Sequence, residues 1–453
     1  MQLHTAAARG DINGMTFALE KGAEIDAPDS IGRSALVFAL ERARAFSHWR
    51  GQKVTLKAVE FLIDSGANLE ACDSLGDTAL HHAAKIPDPA FLNLLLLHGA
   101  NPKHVTPSVY STLLNACYQP QSSAKIAIIE ILHSAGLNLN TASQHGEFPL
   151  GVCLRFGDLV ALQRLIQLGA DPTPLHWSDT DHAVVFGTLS ELERLSPSNE
   201  TINSKNQRFE LSPWLLASIR GDFRILQWLA ERGADLKQTG RRGISPLHFA
   251  AEFGRLEALS SLLDFGIDAN ICNDFGDSPL HYASTWNHRS IAHKLIRAHA
   301  DVNRKNHVGS QPIHEANSVE MIQLLVEGGA DVNAIDGCGE WPLKSAAENN
   351  DVKLIKWLLD HGADVDLTST GETALHTAVS SDARESMEVL LQNGANPNAP
   401  DVDGWTPLCG AESCEAIHAL LEAGADPSLE DQAGMAPEEW FKDPILIKAL
   451  KGD

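Results

Sequence analysis

Histidine, cysteine and carboxylate side chains are the groups in this sequence that could do chemistry. Six histidines (His4, His81, His248, His281, His314 and His376) recur at one position of a repeated motif. A general acid or base needs a unique setting and a partner. A histidine that returns in phase is therefore expected to do a structural job, a hydrogen bond to the backbone of a neighbouring unit. The one local cluster with metal-ligand chemistry is His176, Asp179, Asp181 and His182. It lacks a helical i, i+4 ligand face, and the segment reads as a solvated finger loop. Seven cysteines (Cys72, Cys117, Cys153, Cys272, Cys338, Cys409 and Cys414) form an odd, scattered set without a C-x-x-C pair. That argues against a disulfide framework or a zinc ribbon and for a reducing compartment. Cys409 and Cys414 do not face each other on a helix and read as small buried hydrophobes. The sequence contains neither a P-loop pattern nor a nucleophile elbow. The expectation is no catalytic residue, no metal and no cofactor.

Composition narrows the function classes. The 453 residues carry 59 Asp+Glu against 35 Lys+Arg, a net charge of −24. Such a chain repels nucleic acid and anionic membranes and favours basic partners. The excess is concentrated: residues 301–453 hold 28 acidic and 9 basic residues, a balance of −19. The sequence has no apolar run of transmembrane length, and its start, Met1-Gln2-Leu3-His4-Thr5, does not read as a secretory signal. Asn199-Glu200-Thr201 is read as a chance glycosylation sequon in a polar loop. A cytoplasmic protein, monomeric on its own, is expected.

The elements that position these side chains are set by a repeat. A Gly-Ala step recurs at Gly22, Gly66, Gly99, Gly169, Gly233, Gly329, Gly362, Gly394 and Gly424, with weaker copies at Gly136, Gly266 and His299. From Gly233 the spacings are 33, 33, 30, 33, 32 and 30. A second motif precedes each step, as in Thr78-Ala79-Leu80-His81, Ser245-Pro246-Leu247-His248, Ser278-Pro279-Leu280-His281, Gln311-Pro312-Ile313-His314, Thr373-Ala374-Leu375-His376 and Thr406-Pro407-Leu408-Cys409. Within one unit, Ser or Thr caps a short inner helix and Pro takes its first turn. A longer apolar helix follows, such as Leu256 to Leu263, and Gly ends it in a left-handed conformation. A polar finger such as Asp331 to Asp336 leads to the next unit. No unit buries its faces alone, so stacking must build the core.

These residues resemble the ankyrin repeat, with its period of about 33 residues and T-P-L-H-x-A signature. The resemblance covers nearly the whole chain, in about thirteen units plus an end cap. It implies an all-α ankyrin solenoid. The chain divides into N-terminal repeats over 1–174, a degenerate repeat and polar loop over 175–209, and C-terminal repeats with an end cap over 210–453.

The departures from the period are located. Gly22 to Gly66 is 44, about eleven residues too long, and the basic, aromatic segment Arg42 to Lys53 should extend an inner helix or its loop. Gly169 to Gly233 is 64, so a degenerate unit lies there, with Leu189 to Leu195 as its second helix and the polar run Ser196 to Arg208 as a hinge or flexible loop. The stretch from Pro437 reads as a capping helix rather than a docking motif.

The resemblance also implies protein binding, by the positions around the T-P-L-H motif and the fingertips that line a concave groove. In the first and middle units these are Arg33, Arg42, Asp77, Arg155, Phe156, Ile219, Arg220, Arg241, Arg242, Ile244, Glu252 and Phe253. In the later units they are Phe275, Asp277, Thr285, Trp286, His307, Glu340, Glu348, Asn349, Glu372, Val402, Asp403, Trp405 and Met435, with Asp401 among the acidic fingertips. Arg and aromatic residues there suit hot spots. Arg dominates the front and middle and carboxylates the end, so a basic surface on a partner should dock toward 301–453. The leading expectation is a scaffold that sequesters or inhibits a partner, an immunity protein against a basic toxin being one form. The alternatives are an adaptor bridging two proteins and an enzyme with a site near the degenerate repeat.

Overall fold

The unit that starts at Ser245 shows why each repeat folds as it does. Ser245 ends an extended segment and caps the helix Pro246–Glu252. Its hydroxyl lies 2.7 Å from His248 Nδ1, and its backbone N–H donates to the same nitrogen at 3.1 Å. Nδ1 therefore accepts, and Nε2–H donates across 2.9 Å to the carbonyl of Asp277 in the next unit. Burial lowers the His248 pKa to about 4, so the ring is neutral at pH 7. The same inter-unit link joins His4 to Arg33, His281 to Ser310, His314 to Ala334 and His376 to Trp405, at 3.0–3.2 Å. Five of the six recurrent histidines thus have the structural job their periodicity implied. His81 keeps its cap contact with Thr78, but among the described residues its Nε2 is buried without a hydrogen-bond partner.

The computed structural model describes residues 2–46, 56–108, 110–369, 371–441 and 444–451. The chain forms two compact units, Met1–Pro197 with Asn206–Phe209, and Ser198–Lys205 with Glu210–Asp453. The first holds the helix pairs Gln2–Arg9 and Ile12–Glu20, Ala35–Phe46 and Leu56–Asp64, Ala79–Ala83 and Pro89–Leu97, Thr112–Cys117 and Ser123–Ser134, Pro149–Arg155 and Leu159–Gln167, and Asp179–Phe186 and Leu189–Leu195. The second begins with Asn199–Asn203 and continues through pairs such as Pro213–Arg220 and Phe223–Glu231, Pro279–Thr285 and Arg289–Arg297, and Pro342–Glu348 and Val352–Asp360. It ends with Pro437–Trp440 and Pro444–Lys451. The architecture is all-helical. Among the described residues the β-pairing outside helices is an isolated bridge between Val105 and Ser111.

Within each unit the core lies between inner and outer helices. Leu80, Leu247, Leu280 and Leu375 of the inner helices are buried, as are Leu92, Leu162, Leu259, Ile355 and Leu420 of the outer ones. Each such side chain stabilises the stack by about 1.5–3 kcal/mol. The Gly-Ala step turns the chain at positive φ, as at Gly329 (97°), and where glycine is missing His299 takes φ 62°. The fingers are stitched in series. Asp301 accepts from the Asn303 N–H, Asn303 accepts from the Asp331 N–H of the next unit, and Asn333 accepts from the Asp364 N–H, at 2.8–3.0 Å.

Two inner segments differ from the motif's promise. Gln311 to Ala316 forms turns rather than a helix, and Pro407–Gly410 is a single 3-10 turn. Both belong to the units with a spacing of 30. Three missing residues remove nearly a full helical turn.

The irregular regions also resolve. Asp179–Phe186 is an inner helix, not a finger loop, because Ser178 and Asp181 form a reciprocal capping box. Leu189–Leu195 is its outer helix, as the spacing implied. The polar run from Ser196 contains the capped helix Asn199–Asn203 rather than an extended loop. Asn203 repeats the finger's stitching, accepting from the Asp235 N–H at 2.7 Å, and Ile202 is buried. The long first insertion extends the inner helix to Phe46, twelve residues against seven in Pro246–Glu252. Its remainder, Ser47 to Lys53, lies outside the described residues.

Candidate functional site

Within each compact unit the inner helices of successive repeats pack side by side. A residue immediately before the capping Ser or Thr sits at the base of each finger. The residue eight positions later lies about two turns further on, on the inner helix or just past its end. In the first unit these two positions carry opposite charges and meet. Arg33 pairs with Glu41 at 2.7 Å, Asp77 with Lys85 at 2.6 Å, and Glu147 with Arg155 at 2.7 Å.

The third of these pairs is the centre of a cluster. Glu147 accepts hydrogen bonds from the hydroxyls of Tyr110 and Tyr118, the latter at 2.6 Å. Arg155 Nη2 also donates to Tyr118 Oη at 3.1 Å, and its guanidinium lies over the rings of Tyr118 and Phe156. Burial alone would raise Glu147, but these hydrogen bonds outweigh it and bring the carboxyl down to about 2. Phe156 packs edge-on against Tyr118 at 5.8 Å and remains 37% exposed. Sequence reading singled out Arg155 and Phe156 but missed Tyr110, Tyr118 and Glu147. The eight-residue recurrence of opposite charges was the signal that could have found the glutamate.

The other front residues divide by what they touch. Arg33 is held by Asp29 and Glu41 and lies over Phe38 at 4.1 Å. Arg42 is exposed on the lengthened helix. Asp77 is buried under Lys85, and Ile219 is buried in the core. Neither of these two is offered to a partner. Arg220 forms an ion pair with Asp222 at 3.4 Å.

In the second unit Arg241 and Arg242 stand exposed at a fingertip, with Arg242 over the Phe275 ring at 5.4 Å. Phe253 stacks on Phe249 at 6.2 Å. Trp286 is 47% exposed. Asp277 is engaged, accepting from Asn306 Nδ2 at 2.8 Å and from Asn273 Nδ2 at 3.3 Å. Glu252, at the end of the inner helix Pro246–Glu252, is raised by burial to about 7.

The acidic end is less free than its charge suggests. Asp336, Asp401 and Asp431 each accept backbone N–H groups two and four residues on, at 2.8–3.0 Å. These carboxylates build their own finger turns. Asn273 and Asn306 do the same job without charge. Glu340 pairs with Lys344 at 2.6 Å, and Glu372 lies 3.8 Å from the same ammonium. Glu348, Glu372 and Asp403 remain exposed. Trp405 packs against Trp440 of the helix Pro437–Trp440 at 4.4 Å, and Trp440 Nε1 donates to Asp431 at 3.0 Å.

Several of the groups that could do catalysis or hold a metal are engaged in the fold. Asp181 is spent on its cap, and Asp179, His182 and Phe186 line a shallow hollow with Glu191 and Arg194. Among the described residues the group with metal-ligand geometry is Asp73, Asp77 and His82, whose ligand atoms lie within 4.8 Å of one another. There His82 already binds Asp73 at 3.0 Å and Lys85 neutralises Asp77. A nucleophilic thiol needs a lowered pKa. Hydrogen bonding with Cys117 and burial raise Cys153 instead, and burial raises Cys409 and Cys72. No helix among the described residues is long and apolar enough to cross a membrane.

Comparison with known proteins matches these observations to a family. The sequence model of ankyrin repeats matches three times, over residues 3–106, 214–306 and 311–401. A 96-residue stretch is 38% identical to an ankyrin repeat protein of Fowlpox virus (strain NVSL), covering 20% of this chain and 28% of that protein. Another 96 residues are 36% identical to the B-cell lymphoma 3 protein homolog of Mus musculus, covering 21% of each chain. The chain thus spans only 28% and 21% of the lengths of these two curated relatives. Among solved structures, the ankyrin repeat domain of Bcl-3 aligns at 27% identity over 47% of this chain and 100% of that domain, with a TM-score of 0.43. The human ASB11 ankyrin repeat domain aligns at 26% identity over 46% of this chain and 96% of that domain, with a TM-score of 0.41. Ankyrin repeats are protein-binding modules and are typically non-catalytic. With its capped inner helices, glycine-ended outer helices, finger ladder and three family matches, this chain belongs to the ankyrin repeat family.

Proposed function

We propose that the protein is a scaffold that sequesters or inhibits a partner protein with a basic surface, an immunity protein against a basic toxin being the sharpest form of that role. The observation that carries this reading is the acidic excess of residues 301–453, 28 acidic against 9 basic. Part of that excess builds finger turns, yet Glu348, Glu372 and Asp403 stand exposed on the inner helices and fingers of that stretch. Exposed carboxylates steer an oppositely charged protein from a distance, while aromatic anchors such as Trp286 and Trp405 supply holding energy. The free cysteines fit a reducing, cytoplasmic setting. A second reading, an adaptor for two proteins, is favoured by the different chemistry of the Tyr118–Arg155–Phe156 cluster in the first unit. Replacing Glu348, Glu372 and Asp403 together by Lys tests the main reading. The partner's association rate should fall about tenfold at low salt and lose most of its salt dependence. An unchanged rate and salt slope would sink it.

A further inference from the structure

One carboxylate breaks the charge pattern of the inner helices. Glu41, Lys85 and Arg155 each meet an opposite charge eight residues earlier, at 2.6–2.7 Å. Glu252 occupies the corresponding position on Pro246–Glu252, but the residue eight before it is Ile244. Among the described residues its carboxylate has no ion-pair or hydrogen-bond partner.

Its surroundings are aromatic. Phe249 lies one turn earlier on the same helix and stacks on Phe253. Tyr282, on the next inner helix Pro279–Thr285, packs edge-on against His248 at 5.2 Å and is close enough to feel the glutamate's charge, and Trp286 caps the end of that helix, 47% exposed. The ionisable groups on the packed elements are committed elsewhere or neutral. His288 Nε2 donates to the Glu252 carbonyl rather than to its carboxylate, and burial keeps its ring below the usual pKa. Arg255 Nε donates to the Ile219 carbonyl at 2.9 Å, and Arg242 lies over Phe275. Tyr282 Oη bonds Asn273 at 3.2 Å and is raised by burial. His248 is neutral in its cap. Glu252 is nonetheless partly open to solvent.

We propose that Glu252, flanked by Phe249 and Tyr282, is the socket for one arginine or lysine side chain of the protein partner. An entering cation supplies the missing charge in a part-desolvated site, where a close ion pair counts for more than at the surface. The aromatic faces attract the same cation through their quadrupoles. Occupation is thereby tied to ionisation, because burial holds the empty carboxyl at about 7. The socket rests on the reading of the chain as a scaffold for a basic protein, and it names that interface's anchor.

The test uses the full-length protein and three capped tripeptides, Gly-Arg-Gly, Gly-Lys-Gly and Gly-norleucine-Gly, at millimolar concentration. Binding is read from the Trp286 indole N–H signal, assigned by its loss in Trp286→Phe. The cationic peptides should bind about tenfold more tightly at about pH 8 than at about pH 6, as the ionised fraction climbs from roughly a tenth to nine tenths. The norleucine peptide should show no such gain. Glu252→Gln keeps the bulk and removes the charge, so it should abolish the pH dependence. In the wild type alone, the carboxyl carbon that titrates near neutrality should move to lower pKa when the arginine peptide is added. A flat pH profile, equal binding of the norleucine peptide, or an unmoved carboxyl titration overturns the socket. A basic protein bound equally by wild type and Glu252→Gln also overturns it, yet leaves the scaffold reading standing. A bound partner without a basic surface sinks the scaffold reading instead.

Discussion

Lys125 and Asp158 lie one repeat apart and form a buried ion pair whose disruption should be measurable and local. Lys125, on the first turn of Ser123–Ser134, is fully buried, and its ammonium is 2.9 Å from Asp158 Oδ2. The ammonium also donates to the Gln119 carbonyl at 3.0 Å. The Gln119 side chain in turn donates to the carbonyls of Ala84 and Ile86. Three consecutive repeats are joined by this one polar network. Replacing Lys125 by Met keeps the apolar stem but strands a buried carboxylate, which costs about 3–5 kcal/mol. The double variant Lys125→Met/Asp158→Asn removes the stranded charge. Asn keeps the cap on Leu159–Gln167, where Asp158 now accepts the Ala161 N–H at 3.0 Å. It should recover all but about 1–2 kcal/mol. Repeat arrays need not unfold in one step, so amide hydrogen exchange of residues 123–134 and 159–167 is the assay. A loss of about 3 kcal/mol lowers protection about a hundredfold. The reasoning is refuted if Lys125→Met changes protection less than about threefold, or if the double variant is no better than the single one.

Three further outcomes are expected. Asp401→Asn should leave the last fingers intact, since Asn273 and Asn306 build the same turn, whereas Asp401→Ala should destabilise that end by about 1 kcal/mol for each backbone hydrogen bond lost; chemical denaturation of both variants separates the two. His248 has a folded pKa near 4 against an ordinary 6.5, so its neutral form is favoured by folding. Its contribution is complete above pH 6.5 and is lost as the pH falls toward 4, and His248→Gln should flatten that limb of the stability profile. Glu252 shows the opposite case: its folded pKa of about 7 exceeds the ordinary 4.5, so stability is lost as pH rises from 4.5 through 7. Glu252→Gln should therefore be more stable than wild type at pH 8 and about equal at pH 4 in urea titrations.

Much of the fold was legible because the repeat writes its capping and turning residues at fixed places. Ser245, Pro246, His248 and the glycine steps each do locally what their chemistry dictates. The histidine linkage could be anticipated because periodicity itself implies a structural role. Spacing carried more than the motifs did in the two 30-residue units, where Pro407 and Leu408 look helical but too few residues remain for a helix. The helices at Asp179 and Asn199 were hidden because their caps, Ser178 and Ser198, stand in polar runs that read as loop. The candidate site was less legible. Charge at Asp336, Asp401 and Asp431 looked available to a partner, yet the carboxylates fold their own turns. The Lys125–Asp158 pair joins residues a full repeat apart, so no local pattern announces it. Glu252 was legible as a groove position, but its missing partner stands out only once its paired counterparts Glu41, Lys85 and Arg155 have been seen in three dimensions.

Site-specific photo-crosslinking tests the central claim most directly. A benzophenone-bearing phenylalanine is placed at Trp286 at the end of an inner helix or at Trp405 at a finger base, and at Leu97 on an exposed outer-helix position. The account predicts one basic protein cross-linked from Trp286 and Trp405 and not from Leu97, with an association rate that falls as salt rises. Cross-links from Leu97 alone, or a captured partner that is acidic and binds at a salt-independent rate, would contradict it.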